Sequence, residues 1–269
     1  MAVNLNRSDL TLYRAPALEK GLDILELLAD VPDGLTQNQI AQRLDRSVNE
    51  IYRMVDCLER RGYLAREGIS GLYRLTLRLF ELAHQQPPTR RLLTVAAPQM
   101  EQLARQVRQS AQLMVYYDAR ILCVAQVSSP EPMGFGIRLG AHFSFIEERT
   151  SARVIAAFQP PKLRVELARQ MLSGRQSRAK IQRLLGRLER LHRRGYDVAP
   201  SVVVSGVTDV SYPIHDHGGV IAALTVPYLR LADSKVTIEQ VRKALGETAT
   251  AISRALGANG ARQNRDDVA

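Results

Sequence analysis

The sequence is poor in cysteine: two in 269 residues, Cys57 and Cys123, far apart and each inside an apolar periodic stretch. That argues against a disulfide framework and for buried free thiols in a reducing compartment. No apolar run approaches the roughly 18 residues a membrane span requires, so no membrane partner is expected. The first sixteen residues, MAVNLNRSDLTLYRAP, are polar and broken by charge, unlike a secretory leader, and a cytoplasmic location is expected. A G-x-S-x-G nucleophile elbow is missing, as is a glycine-rich phosphate cradle. Neither an enzymatic activity nor a cofactor is therefore expected.

What is present suits a chain of one large or two ordinary domains, with a 45% hydrophobic share that can fill real cores. The formal net charge is +10, a value that by itself suggests a polyanionic partner. Its distribution weakens the inference. Residues 1–86 hold 11 Lys and Arg against 12 Asp and Glu, residues 87–200 hold 19 against 8, and residues 201–269 hold 7 against 7. The excess lies in PPKLRVELARQMLSGRQSRAKIQRLLGRLERLHRRGYDV, in the middle of the chain, and reads first as a solvated helix face.

The N-terminal third has three helical patterns followed by two short strands. Leu18, Leu22, Leu25 and Leu28 recur at helical spacing with Ile24 filling the stripe, Pro16 suits the first turn, and Pro32-Asp33-Gly34 ends the element. Thr36 is a candidate N-cap for a helix carrying Ile40, Ala41 and Leu44. After Asp45-Arg46, Ser47 and Glu50 form an S-x-x-E capping box ahead of Ile51, Met54, Val55 and Leu58. Two short helices joined by about three residues match a helix-turn-helix. The second of them exposes Asn49, Glu50, Tyr52, Arg53 and Asp56. Gly62 stops it, YLARE alternates as a strand, GISG turns the chain and LYRL returns, which makes a wing. Candidate DNA contacts are Thr36, Gln37, Ser47, Asn49, Glu50, Tyr52 and Arg53 from the helices, with Arg66, Tyr73 and Arg74 from the wing. Glu50 has two readings, acceptor for a cytosine or partner in its own cap.

GLTQNQIAQRLDRSVNEIYRMVDCLERRGYL and GLYRLTLRLFELA together resemble the DNA-binding end of an IclR-type transcriptional regulator. The resemblance continues in order through AAPQMEQLARQVRQSAQLMVYYDARILCVAQVSSPEPM, IRLGAHFSF, ERTSARVIAAF, LHRRGYDV and SGVTDVSYPIHDHGGVIAALTV, covering about residues 15 to 257. It implies an α+β protein: a winged helix-turn-helix of three helices and a β-hairpin, a linker helix, and an α/β effector domain with an antiparallel, GAF-like sheet. The corresponding boundaries are a flexible arm at 1–14, the winged domain at 15–76, linker and hinge at 77–94, the effector domain at 95–258 and a tail at 259–269. It also implies dimers, or dimers of dimers, on palindromic operator DNA, with a small-molecule effector shifting the placement of paired winged domains. Gln85-Gln86-Pro87-Pro88 is the expected hinge.

The family's pocket positions carry over to Gly140, Ala141, Glu147, Arg149, Ser151, Ala152, Asp209 and Val226. This chain has Glu147 where the family often has histidine, Asp209 where it often has cysteine, and Ala152-Arg153 in place of a Gly-Lys pair. Two acids, Glu147 and Glu148, at the start of the pocket-side helix would compete for its free amides, which points to a polar effector other than a simple carboxylate. The residues alone support the architecture independently. SAQLMVYYDARILCVAQV and VTDVSYPIHDHGGVIAALTV read as hairpins, the latter turning at His-Asp-His-Gly-Gly, and SRAKIQRLLGRLERLHRRG and TIEQVRKALGETATAISRAL as amphipathic helices. Two rival functions remain open at this stage. One is a winged adaptor that binds protein, against which the outward Arg53, Arg66 and Arg74 speak. The other is a metal enzyme built on His215 and His217, for which no third ligand appears, so no metal site is assigned.

Overall fold

A computed structural model describes residues 15–85, 87–172, 177–230 and 236–258, and the side chains of 83–88 are not described. The expected arm and tail, and Gln86 of the expected hinge, lie outside these residues. The chain divides into two compact units, Met1–Arg90 and Arg91–Ala269.

The first unit contains α1 (Pro16–Ala29), α2 (Gln37–Arg43), α3 (Val48–Arg60), a hairpin of β1 (Leu64–Arg66) and β2 (Tyr73–Leu75), and α4 (Arg78–Gln85). Both short helices begin with reciprocal capping boxes, Thr36 with Gln39 and Ser47 with Glu50. Between them Asp45 adopts φ 53°, and the amide of Arg46 returns to the carbonyl of Ala41, closing the turn. Arg46 then pairs with Asp23 of α1 at 3.0 Å. The core is Ile24, Leu28, Leu35, Ile40, Ala41, Ile51, Val55, Leu64 and Tyr73. A bridge between Leu35 and Tyr73 ties the hairpin to the segment after α1. There Gly34, at φ 80°, is required: a Cβ would lie 2.6 Å from Arg74 Cγ and 2.7 Å from the Tyr73 carbonyl.

The apolar stripe expected on α1 splits in two. Ile24 and Leu28 are buried, whereas Leu18 and Leu22 are 63% and 48% exposed. At about 100° per residue, Leu18 and Leu22 lie some 120–160° around the helix from Ile24, on a face that the other two helices do not reach.

The second unit holds α5 (Pro87–Val107), β3 (Ala111–Tyr117), β4 (Arg120–Val127), β5 (His142–Ser144), α6 (Thr150–Ala157), α7 (Pro161–Met171), α8 (Arg178–Arg194), β6 (Asp197–Pro200), β7 (Val207–Asp216), β8 (Gly219–Leu229) and α9 (Ile238–Ala255). Its six strands form one antiparallel sheet in the order β5-β4-β3-β8-β7-β6. Asp118 and Ala119, both at positive φ, make the tight turn from β3 to β4, and His217-Gly218 joins β7 to β8. Strand alternation sends Leu113, Val210, Leu224 and Val226 to one face, against α5 and α9. Met114, Cys123 and Ala223 point to the other, against α6, α7 and α8. The sheet is thus covered by helices on both faces, and packing of α5 begins at Leu92.

All eight residues of α6 are buried. One of them is charged: Arg153 is 1% exposed and donates from Nε to Asp197 Oδ2 at 2.6 Å and from Nη1 to the Glu147 carbonyl at 2.6 Å. Asp197 also accepts from Arg194 Nη2 at 2.9 Å and from the Val198 amide at 3.0 Å. Removing one partner of a buried pair strands the other charge. Asp197→Ala should therefore lower unfolding free energy by about 3–5 kcal/mol in urea denaturation, and a loss under about 1 kcal/mol would show that the pair does not hold the domain.

Candidate nucleic-acid interface and ligand cleft

The exposed face of α3 carries Val48, Asn49, Glu50, Tyr52, Arg53 and Asp56. Asn49 and Arg53 have no ion pair among the described residues and face solvent, as a reading head requires. Glu50 is committed elsewhere. Its carboxylate accepts from the Ser47 amide and hydroxyl, both at 3.0 Å, and pairs with Lys20 of α1 at 3.1 Å. The Ser47 amide, then Lys20, hold its pKa down to about 2. Of the two readings of Glu50, the cap is the one its geometry satisfies. The hydroxyls of Thr36 and Ser47 serve their own capping boxes, and Gln37 is half-buried at the start of α2.

On the wing, Arg66 is exposed and sits 5.7 Å from the Tyr73 ring centroid. Tyr73 itself is 6% exposed and belongs to the core, which corrects its assignment as a surface contact. The alternation of β2 turns it inward and leaves Arg74 outward. Arg74 donates from Nε to the Asp33 carbonyl at 3.0 Å and approaches Glu67, so part of its fork is occupied.

In the second unit a cleft is lined by Arg149, Thr150, Ser151, Ser201, Asp209 and Thr225, with Gln112 and Met114 at its floor and Phe135, Ile137 and Phe143 as apolar walls. Behind it a hydroxyl chain fixes the start of α6 to the sheet: Ser211 donates to Thr150 at 3.0 Å, so Thr225, at 2.8 Å, donates to Ser211. Arg149 is the N-cap of α6 and makes no side-chain cap. Its guanidinium lies 4.4 Å from the Phe143 ring centroid, and its Nε is buried with no acceptor among the described residues. Burial lowers its pKa, and Asp209 opposes that. Burial raises the pKa of Asp209, while the Ser201 hydroxyl and Arg149 pull it down. The free volume is about 20 Å³, room for about one water. A second, solvent-open depression of about 370 Å³ shares Ile137 with the cleft and is lined by Ser110, Gln126, Gly134, Gly136 and Arg138.

Of the positions carried over from the family, Arg149, Ser151 and Asp209 meet in this cleft. Gly140 and Ala141 do not line it; they pair with the backbone of Cys123, and Gly140 takes φ 80°. Glu147 contributes its carbonyl to Arg153 rather than a carboxylate to the cleft. Neither it nor Glu148 caps α6, which removes the premise for excluding carboxylates. Ala152 is wholly buried among α6, α7 and α8. Val226 is wholly buried on the opposite face of the sheet, and Thr225 takes the place assigned to it. The two histidines of the hairpin are not brought together. His215 packs against Phe158 at 5.6 Å, while His217 is exposed in the turn.

The family profile of the IclR helix-turn-helix domain matches residues 17–68, and that of the bacterial transcriptional regulator IclR C-terminal domain matches residues 88–254. The chain is similar to the HTH-type transcriptional regulator KdgR of Escherichia coli, 26% identical over 88% of this chain and 91% of that protein. It is equally similar to the glycerol operon regulatory protein of Streptomyces griseus, 26% identical over 90% and 96%. The crystal structure of an IclR homologue from Microbacterium hydrocarbonoxydans, complexed with 4-hydroxybenzoate, matches at 28% identity with a TM-score of 0.74 over 89% of this chain and 98% of that one.

The position of Glu50 has a measurable consequence. A carboxyl held near 2 favours the fold at any pH above the ordinary carboxylate range and loses that contribution as pH falls through about 2. NMR titration of the Glu50 side chain should give a midpoint near 2; a midpoint near the ordinary value of 4.5 would mean that the cap is open in solution.

Proposed function

The chain belongs to the IclR family of bacterial transcriptional regulators, with a DNA-binding helix-turn-helix and an effector-binding C-terminal domain, and from that premise we propose how its own residues do this work. The reading rests above all on the exposed, doubly capped α3, whose Asn49 and Arg53 are unencumbered. Arg53 and Asn49 contact base edges or adjacent phosphates in the major groove, Ser47 and Tyr52 border them, and Thr36 and Gln37 approach the backbone from the start of α2. Arg66 and the free part of Arg74 hold phosphates beside the wing.

The protein acts as a symmetric assembly on a palindromic operator. The second apolar face of α1, with Leu18 and Leu22, supports self-association, as do Leu77 before α4 and Leu79 and Leu82 on it, all exposed.

The effector is a hydroxyl-bearing polar molecule, either a hydroxylated acid or a polyol. Arg149 supplies donors, Asp209 and Ser201 together accept and donate, and Phe143 walls the site. A carboxylate on the ligand suits Arg149. A hydroxyl suits Asp209. To admit any such molecule, Phe135 and Ile137 must yield, toward the open depression that shares Ile137 with the cleft. The ligand shifts DNA binding only by its differential affinity for two arrangements of the paired winged domains.

Three outcomes are expected. Arg53→Ala should weaken operator binding by about 10- to 100-fold in gel-shift titration, a size typical of one lost bidentate contact, and unchanged affinity would remove Arg53 from the interface. In a thermal-shift screen, 4-hydroxybenzoate or glycerol should stabilise the protein more than benzoate does, and Asp209→Ala, which removes the acceptor, should abolish the difference. Equal response to benzoate would refute the hydroxyl requirement. Leu18→Glu with Leu22→Glu should convert the assembly to a smaller species in light scattering, whereas an unaltered mass would place the interface elsewhere.

A further inference from the structure

The basic excess of this chain belongs to the effector domain and not to the helix-turn-helix, and its placement is ordered. α8 presents Lys180, Arg183, Arg187, Arg190 and Arg194. At about 100° per residue these five fall within an arc of about 80°, and at 1.5 Å per residue they run along roughly 21 Å of helix. The adjoining flank of α8, centred about 90° around the helix from the stripe, carries Leu184, Leu188 and Leu191, which pack into the core. Lys180, Arg183, Arg187 and Arg190 are exposed, and none has an acid within ion-pair distance among the described residues. Arg194 differs, because it is bound to Asp197 and to the Tyr196 carbonyl. The one acid of α8, Glu189, is taken by Arg164 of α7 at 2.6 Å. Arg178 and Arg193 add further exposed charge to the same helix.

The winged unit differs in balance. Lys20, Arg46, Arg60, Arg74 and Arg78 are paired with acids of their own unit, while Arg43, Arg53, Arg61 and Arg66 carry no ion pair among the described residues. Residues 1–86 hold 11 Lys and Arg against 12 Asp and Glu. The sequence-independent part of DNA affinity comes from neutralised phosphates and released counterions, and a near-neutral reading head supplies little of it. A stripe of like charge held on one rigid helix is costly in self-repulsion and is relieved by a linear polyanion. Duplex DNA offers one phosphate per about 3.4 Å of axis on each strand, so about six phosphates of one strand span the length of the stripe.

We propose that the Lys180–Arg183–Arg187–Arg190 stripe of α8 is a second, sequence-independent DNA contact, which binds backbone phosphates and lends the neutral reading head its electrostatic affinity. The proposal rests on the protein's being a DNA-binding regulator, but not on the residues assigned to α3.

The test uses the full-length protein and a 30-base-pair duplex lacking any operator, with fluorescence anisotropy at salt concentrations from 50 to 200 mM. Changing Lys180, Arg183, Arg187 and Arg190 together to Gln should weaken binding at least tenfold and make the slope of log affinity against log salt shallower by about 3 to 4, at roughly 0.9 per lost phosphate contact. A companion variant with Lys at the three arginine positions should keep the slope, since charge rather than shape carries this contact. Circular dichroism melting confirms that the exposed substitutions leave the fold intact. An unchanged slope in the Gln variant, with wild-type protein bound to the duplex, overturns the stripe as a DNA contact and points to an acidic protein surface. No binding of wild-type protein to this duplex or to operator DNA overturns the regulator reading along with it. Arg53→Ala serves as the contrast, because it should reduce operator affinity and leave most of the salt slope on the non-operator duplex in place.

Discussion

The guanidinium of Arg153 holds together two stretches of the effector domain that are distant in sequence, 147–153 and 194–197. From the interior of α6 it reaches Asp197 at the start of β6, and through Asp197 it engages Arg194 at the end of α8. Its other arm fixes the Glu147 carbonyl in the loop before α6. A buried pair of this kind returns little net stability, because desolvating both charges offsets most of their attraction. Its contribution is orientation. Arg149 lies one helical turn before Arg153, at the N-cap, so fixing α6 in azimuth and height also aims Arg149 at the cleft and places Thr150 against the hydroxyls of the sheet. Nη2 of Arg153 lacks an acceptor among the described residues, consistent with a geometry set by position rather than by hydrogen-bond economy.

The two units divide their labour by charge as well as by fold. In the winged unit, acids are used to set local structure: Glu50 in a cap, Asp23 on the turn of the helix pair, Glu67 beside Arg74 on the wing. With residues 1–86 holding 11 Lys and Arg against 12 Asp and Glu, the winged unit has almost no net charge. In the effector unit one flank of α8 packs into the apolar core and the exposed face adjoining it is left strongly basic. Charge that looks like a global property of the chain is therefore local.

The cleft shows how a small irregularity redirects a site. Counted straight back from the turn at His217-Gly218, β7 and β8 would place Val226 opposite Asp209, on the cleft side. A bulge at Ile214/His215 shifts the register, so that Asp209 pairs with Pro227, Val210 with Val226 and Ser211 with Thr225. One residue of slip moves every side chain of β8 to the other face. Thr225 thereby gains a role that a resemblance-based transfer gave to Val226. The same logic on a smaller scale buries Tyr73 beside an exposed Arg74 in the wing.

The sequence by itself determined the elements whose causes are local. The S-x-x-E box starts α3, Thr237 caps α9, the period of Leu184, Leu188 and Leu191 orients α8, and the hairpin turns stand where polar and glycine residues place them. The family resemblance named Arg149, Ser151 and Asp209 together, and these three line one cleft. Only the tertiary structure decided which of two apolar stripes on α1 enters the core, because both are helical and periodicity cannot tell which face a neighbour will cover. It alone sent Glu147 out of the cleft and brought Gln112, Ser201 and Thr225 in. Those outcomes depend on strand register and on the long-range grip of Arg153 on Asp197, separated by 44 residues, and no local pattern encodes either.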